Sequence, residues 1–231
     1  DCLKEAGAMN MFDRIVDLAA HHHGDREAVL EMSRNSHQAT SLEAVPDDRF
    51  LATMTRCVFN AGFNWKVIEA KWDGFELAFE GFDPNRLAFF GDEMLGQLVS
   101  DTRIVRNGQK IKATLENAKF VADTARKHGS FGAFLAAWPA DDQVGLLDHL
   151  NKAGSRLGGA TGQYFLRFAG WDAWIASGDV CRALVREDVL DKPEAKTKSA
   201  MKKVQAAFNQ WHGDSGLPYA QISRILALSV G

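Results

Sequence analysis

Apolar residues recur along this chain at intervals of three and four, the repeat that lays them on one face of an α-helix. Met9, Phe12, Ile15, Val16 and Leu18 open the series and Ala28, Val29 and Leu30 continue it. This predicts two short helices within Cys2–Met32, broken around Gly24. Ser33–Asp48 is polar, carries Pro46 near its end and reads as a loop, with Asp47 or Asp48 capping the helix that follows. Further helices are predicted over Phe50–Asn60, Lys66–Phe79, Pro84–Phe90, Asp92–Val99, Gly108–Lys127 and Ser130–Trp138. In the longest of these, Ile111, Leu115, Ala118, Phe120, Val121 and Ala122 make the apolar face. Gly81 to Pro84, Gly91, Asn107-Gly108, Gly129 and Pro139 fall between the periodic segments as turns. No two-residue alternation competes, so the fold class is all-α.

Two stretches near the end fit less simply. Asp188–Lys203 is polar and mildly basic at its end; it reads as a solvated loop and helix start, with DNA contact as the alternative. Ser215–Gly231 invites a helix-turn-helix reading, but Ile222, Ile225 and Leu226 share one face, which predicts a single packed amphipathic helix.

Between two helical segments, Leu157-Gly158-Gly159-Ala160-Thr161-Gly162 places three glycines in six residues. Glycine holds a positive φ at no steric cost and lets a ligand approach the main chain. The helix that follows begins with free N–H groups, which attract anions. The stretch is therefore either an ordinary turn of a helical bundle or a hairpin that grips phosphate.

Composition narrows the field without deciding it. At 231 residues, 46% of them hydrophobic, the chain suits one large domain or a core with an added subdomain. It has no apolar run of membrane-spanning length and opens with neither a basic nor an apolar leader segment, so the expectation is a soluble protein of the bacterial cytoplasm or nucleoid, with no membrane partner. Cys2, Cys57 and Cys181 are odd in number and far apart, which argues against a disulfide framework. A formal charge of −3 gives no global attraction to nucleic acid, so DNA binding would need a local basic face. His21, His22 and His23 suggest a metal tract, yet consecutive helical residues point about 100° apart and cannot share one ion. No metal or other cofactor is expected.

Asn60-Ala61-Gly62-Phe63-Asn64-Trp65, then Lys66-Val67-Ile68, Phe82-Asp83-Pro84, and Ile104 to Ile111 running into Asn117-Ala118 form an ordered series. In that order and spacing the series resembles the DNA-3-methyladenine glycosylase I family, of the helix-hairpin-helix superfamily, over roughly Val45 to Val180. The glycine-rich turn falls where that family keeps its hairpin, which favours the phosphate-gripping reading. The resemblance implies a two-lobed helix-hairpin-helix fold with a DNA cleft between the lobes. It also implies hydrolysis of the N-glycosidic bond of alkylated bases such as 3-methyladenine in double-stranded DNA. Such a reaction requires the base to be flipped out of the duplex and the gap to be filled by an apolar wedge. Phe63 occupies the wedge position and Trp65 that of the aromatic surface for the flipped base, with Asn60 and Cys57 beside them in the pocket. For the flanking phosphates the candidates are Gly159, Thr161, Gly162, Arg106 and Lys110. Tyr164 is assigned to packing, and Trp72, Trp138, Trp171, Trp174 and Trp211 to core or half-buried positions.

The chain also departs from that family. The family's base-reading glutamate falls on Cys57, or on Val58 if the register slips, and neither accepts a hydrogen bond as a carboxylate does. Residues 1 to 62 contain no Tyr and no Trp, so the family's aromatic N-terminal motif is missing. Its zinc ligands are missing too, since Ser215–Gly231 has no Cys or His. At the place of the superfamily's catalytic aspartate stands Ser177, and Asp179 two residues later is the one candidate for electrostatic stabilisation, or else a helix-start residue. A cationic base is already a good leaving group, so loss of that aspartate suits cationic lesions. No lysine stands in the hairpin as a Schiff-base nucleophile, so the expected reaction is monofunctional hydrolysis. The expected organisation is a divergent N-terminal pair of helices, 1–45, packed on a glycosylase-like domain, 46–231, acting as a monomer. The alternative is a non-catalytic DNA-binding descendant of the fold, which Cys57 and the missing aromatics favour.

Overall fold

The computed structural model describes residues 10–34 and 41–231, and every helix or turn of regular structure among them is helical. In chain order the helices are α1 (Met11–His23), α2 (Arg26–Arg34), α3 (Asp47–Asn60), α4 (Trp65–Ala70), α5 (Trp72–Ala78), α6 (Pro84–Leu87) and α7 (Asp92–Ser100). They continue with α8 (Gly108–His128), α9 (Phe131–Ala137), α10 (Gln143–Ala153), α11 (Gly159–Phe168), α12 (Gly178–Arg186), α13 (Lys198–Ser215) and α14 (Tyr219–Leu228). Cys2, the predicted start of the first helix before residue 10, and residues 35–40 of the predicted loop lie outside the described residues.

Most breaks fall where the turn residues predict them. Gly24, at φ 115°, ends α1, and Asn107 caps α8 by accepting the Lys110 N–H at 3.1 Å. Three details differ. The predicted helix Lys66–Phe79 divides at Lys71, where ψ is 5°. There the Lys71 ammonium bonds the Thr102 carbonyl at 2.8 Å, a tertiary contact that periodicity does not carry. The helix after the polar loop starts behind Pro46, and Asp47 instead accepts the Phe131 N–H at 2.8 Å, meeting one free donor at the start of α9. The predicted helix 215–231 is shorter, because α13 runs to Ser215 and Gly216 stops it at φ 68°. The Asp172 carboxylate then caps α14, accepting Tyr219 N–H at 3.0 Å and Ala220 N–H at 2.8 Å.

The described residues gather into two compact units: 41–139 with 145–171, and 10–34 with 140–144 and 172–231. This differs from the expected 1–45 and 46–231. The reason lies in the apolar faces of α1 and α2, which α14 covers. Phe12, Ile15, Val16 and Val29 share a core with Trp174, Phe208, Trp211, Ile222 and Ile225. In the other unit α3 packs on α8, α9 and α11. Its Phe59 meets Phe75 edge to face at 4.8 Å, and Phe50 meets Phe131 at 5.4 Å. The buried face of α8 carries Ile111, Ala118 and Val121, together with four polar residues, Lys110, Thr114, Asn117 and Thr124.

Candidate functional site

Helix α3 ends in a turn built to expose two rings. Gly62 takes φ 76°, a conformation that costs a side-chain-bearing residue about 1 kcal/mol or more. Asn64 then starts α4, its side chain accepting the Lys66 N–H at 3.0 Å. The consequence is that Phe63 is 43% exposed and Trp65, the first residue of α4, 60%. Apolar rings are left in solvent here although each would gain about 1.5–3 kcal/mol by burial.

The predicted hairpin is α10, the loop 154–158 and α11. Leu157 is fully buried and anchors it. Gly158 stands at the N-cap with no side chain to accept the first N–H groups of α11, and Gly159 follows at φ 59°. A Cβ on Gly158 would collide with the Asn151 amide, and one on Gly162 with the Leu157 carbonyl. Asn117 of α8 fastens the loop, donating to the Ser155 carbonyl at 3.0 Å and accepting its N–H at 2.7 Å. Along α11, Ala160, Thr161, Tyr164 and Phe168 follow at helical spacing, and the two rings lie 5.9 Å apart at 30°.

Turn and hairpin together enclose a cavity of about 430 Å³. Helix α3 contributes Cys57 and Asn60 to its lining, the turn Ala61 and Trp65, and α11 Ala160, Thr161, Tyr164 and Phe168. It is an aromatic and largely apolar chamber, with no carboxylate and no cation in its lining. Burial pushes the Cys57 thiol up to about 12, against a smaller opposite pull from the Arg56 guanidinium, so the thiol is neutral at physiological pH. Asn60 presents the one side-chain amide of the lining, and its Oδ1 is buried with no hydrogen-bond partner among the described residues.

The nominated residues divide in this structure. Trp65, Cys57, Asn60 and Thr161 come together in the lining, and Phe63 stands on the same turn without lining the cavity. Gly159 is exposed at the start of α11. Gly162 is buried, and its missing side chain serves the packing of the hairpin. Arg106 is exposed and makes no ion pair among the described residues. Lys110 is not on the surface: it is 6% exposed, and its ammonium donates to the carbonyls of Phe59 at 3.0 Å and Ala61 at 2.6 Å. Burial, with some repulsion from Arg156, holds that ammonium below the usual lysine range. Lys110 therefore faces main-chain oxygens of the protein, where an outward phosphate contact was expected. Asp179 stands in the first turn of α12, pairs with Arg182 and is absent from the lining, while Ser177 caps the helix. Both facts agree with its helix-start reading.

Ala61 and Ala160 of the lining were not nominated, and neither were three larger residues of the site. Tyr164 lines the cavity and is 40% exposed, so its assignment to packing is corrected; Phe168, 64% exposed, lies one turn further on. Their signal is a pair of aromatics four residues apart directly after the hairpin. Arg156, at φ 57°, is the cation that the hairpin loop itself carries, held by the Gln109 side chain. Among the described residues no three His, Cys, Asp or Glu side chains come together as metal ligands.

The methyladenine glycosylase family model matches residues 41–153, which holds α3, the turn, α8 and α10 and ends just before the hairpin loop. Among solved structures, a mutant of 3-methyladenine DNA glycosylase I from Staphylococcus aureus is 22% identical with a TM-score of 0.50, over 64% of this chain and 89% of that one. An 8-oxoguanine glycosylase/lyase of Methanocaldococcus jannaschii, in complex with DNA containing 8-oxoguanine, is 11% identical with a TM-score of 0.55, over 93% of this chain and 95% of that one. At such identities the solved structures speak for the helix-hairpin-helix glycosylase fold.

Proposed function

Through residues 41–153 the chain belongs to the methyladenine glycosylase family, and from that premise we propose that it excises cationic alkylated adenine from double-stranded DNA. The observation that carries the reading is the aromatic cavity at the mouth of the hairpin. Its volume of about 430 Å³ lies in the usual range for a small-ligand pocket. Its surfaces are Trp65 and the Tyr164–Phe168 pair. The exposed N-terminus of α11 is beside it to take the flanking phosphates, with Arg156 and Arg106 as cations.

The chemistry follows from what the lining holds and lacks. Flipping a base costs a few kcal/mol, which Phe63 offsets by filling the gap in the stack. Stacking on an aromatic returns about 1–3 kcal/mol per base, and a positive charge on the base adds about 0.5–2 kcal/mol over the tryptophan face. The C1′–N bond then breaks with its electron pair going to the base, which leaves neutral. Water adds at C1′ and gives up its proton to solvent. A base that already carries a positive charge needs no acid to leave, which agrees with a lining without a carboxylate. Among the described residues no lysine lines the cavity, so the reading is hydrolysis without strand cleavage. Asn60 supplies the amide that meets the base edge in place of the family's glutamate. The reading further takes the protein to act as a monomer in the bacterial cytoplasm.

The test is to incubate the protein with methylated duplex DNA and quantify 3-methyladenine, 7-methylguanine and 1-methyladenine by chromatography, with Trp65→Ala alongside. Release of 3-methyladenine that Trp65→Ala abolishes is the expected result. A folded protein that binds DNA and releases no base refutes it. That result would establish the second reading, a DNA-binding descendant without catalysis, which Cys57 at the glutamate position favours.

A further inference from the structure

A buried lysine needs a reason. An ammonium withdrawn from water costs several kcal/mol unless its hydrogens are met, and a methionine would fill much the same space without that cost. At Lys110 the hydrogens are directed. The Phe59 carbonyl belongs to the last turn of α3, whose final carbonyls have no partner within the helix, and the Ala61 carbonyl belongs to the turn beyond it. A cation at that end also favours the helix dipole. The same nitrogen lies 4.5 Å from the centre of the Phe63 ring and 5.9 Å from that of Phe59. One ammonium thus closes α3, holds the start of the turn and lies against the face of the exposed ring.

The helix that carries Lys110 also holds the hairpin. Two turns on, Asn117 exchanges both hydrogen bonds with Ser155, and one residue before Lys110, Gln109 holds Arg156. Lys110 and Asn117 are seven residues apart, so they leave α8 on the same side. A continuous 21-residue helix is a stiff rod between the two elements that would touch DNA.

We propose that Lys110 is a positioning residue: it sets the Phe63 turn in register with the hairpin, so that wedge and phosphate grip meet the duplex as one rigid template. The proposal rests on the glycosylase reading for its consequence in catalysis and on geometry alone for its effect on the turn. Loss of the ammonium frees the turn, and with it Ala61 and Trp65, while leaving the cavity residues of α3 and α11 in place. The effect therefore falls on insertion and flipping within the bound complex, with little change in affinity for DNA.

The experiment uses the full chain as wild type, Lys110→Met and Lys110→Arg, with circular dichroism to establish folding. Amide hydrogen exchange by mass spectrometry reads residues 61–66, and single-turnover release of 3-methyladenine from methylated duplex reads the chemistry. Lys110→Met is expected to exchange at least about tenfold faster in that segment and to lose about ten- to a hundredfold in single-turnover rate, with DNA affinity changed less than about threefold. Lys110→Arg, which keeps donors and charge, recovers part of both. Wild-type exchange and rate in a folded Lys110→Met overturn the proposal. So does a large loss of affinity with an unchanged rate in the bound complex, which would make Lys110 a phosphate contact. If Lys110→Met does not fold, nitrogen-15 NMR of the wild-type lysine side chains decides: a slowly exchanging Lys110 ammonium supports the proposal, and one that exchanges like a solvent-exposed lysine overturns it. Faster turn exchange in a protein whose wild type releases no base would sink the glycosylase reading and leave the positioning role standing.

Discussion

Cys57→Glu would return a carboxylate to the place where the family keeps one, and the structure sets both what it costs and what it gains. The Cys57 side chain is 5% exposed, and burial moves its thiol from about 9 to about 12. At 1.36 kcal/mol for each tenfold change, an anion at that position is disfavoured by about 4 kcal/mol. A glutamate there meets a similar penalty, reduced by whatever part of the longer side chain reaches into the cavity. Its folded-state pKa is therefore raised above the unfolded value of about 4.3. Between those two values the folded state binds more protons than the unfolded one, so stability falls as pH rises through that window. Thermal melts of wild type, Cys57→Glu and Cys57→Gln from pH 4.5 to 8 measure it. Cys57→Glu should melt progressively below Cys57→Gln as pH rises, with a gap of up to about 10 °C, since 1 kcal/mol is worth about 2–4 °C in a chain of this size. A bound cationic base neutralises the buried charge, so the same variant should release 3-methyladenine faster than wild type. Parallel pH curves for the two variants would refute the desolvation argument.

Further outcomes follow from neighbouring features. Gly162→Ala places a Cβ against the Leu157 carbonyl and should cost about 1–3 kcal/mol in denaturant melts; Gly159→Ala meets no atom and should cost about 1–2 kcal/mol for its positive φ alone. Tyr164→Ala and Phe168→Ala should each remove about 1–3 kcal/mol of stacking, roughly a five- to hundredfold loss in base release, with the melting temperature unchanged within about 3 °C. His149 is held below the usual histidine range by burial, then by His128 and Lys127, and lies against Phe120, Phe134 and Trp138. Its unfolded form takes up a proton first, so stability is full above about 6.5 and falls as pH drops from there towards the folded value; in His149→Gln that part of the pH dependence should vanish.

Periodicity made the helices legible because each buries one face, and the turn glycines made their ends legible because a positive φ leaves little choice of residue. The break at Lys71 was hidden: the contact found there, with the Thr102 carbonyl, is 31 residues away in sequence and leaves no local mark. Asp47 reads locally as a cap and serves Phe131 across the fold instead. The hairpin showed as a cluster of glycines, but Gly159 and Gly162 look alike in sequence while one faces solvent and the other is packed against Leu157. Lys110 misled for a related reason: a lysine at a helix start reads as surface charge, and only the fold brings the Phe59 and Ala61 carbonyls to it. Trp65 and Cys57 were found by family resemblance. Tyr164 and Phe168 needed no resemblance, only a helical wheel begun at the hairpin.

The unit made of residues 10–34, 140–144 and 172–231 has a bearing on how the chain is born. Helices α1 and α2 leave the ribosome well before α14, which covers them. At 5–20 residues per second, α1 waits on the order of 10–40 seconds for its partner. For most of that interval, until Trp174, Phe208 and Trp211 are made, Phe12, Ile15, Val16 and Ala19 have only α2 for company, while the pocket-bearing unit is complete by the time those partners appear. The nascent chain should therefore be most open to chaperones, and to misassociation with its neighbours on a polysome, through the α1–α2 pair.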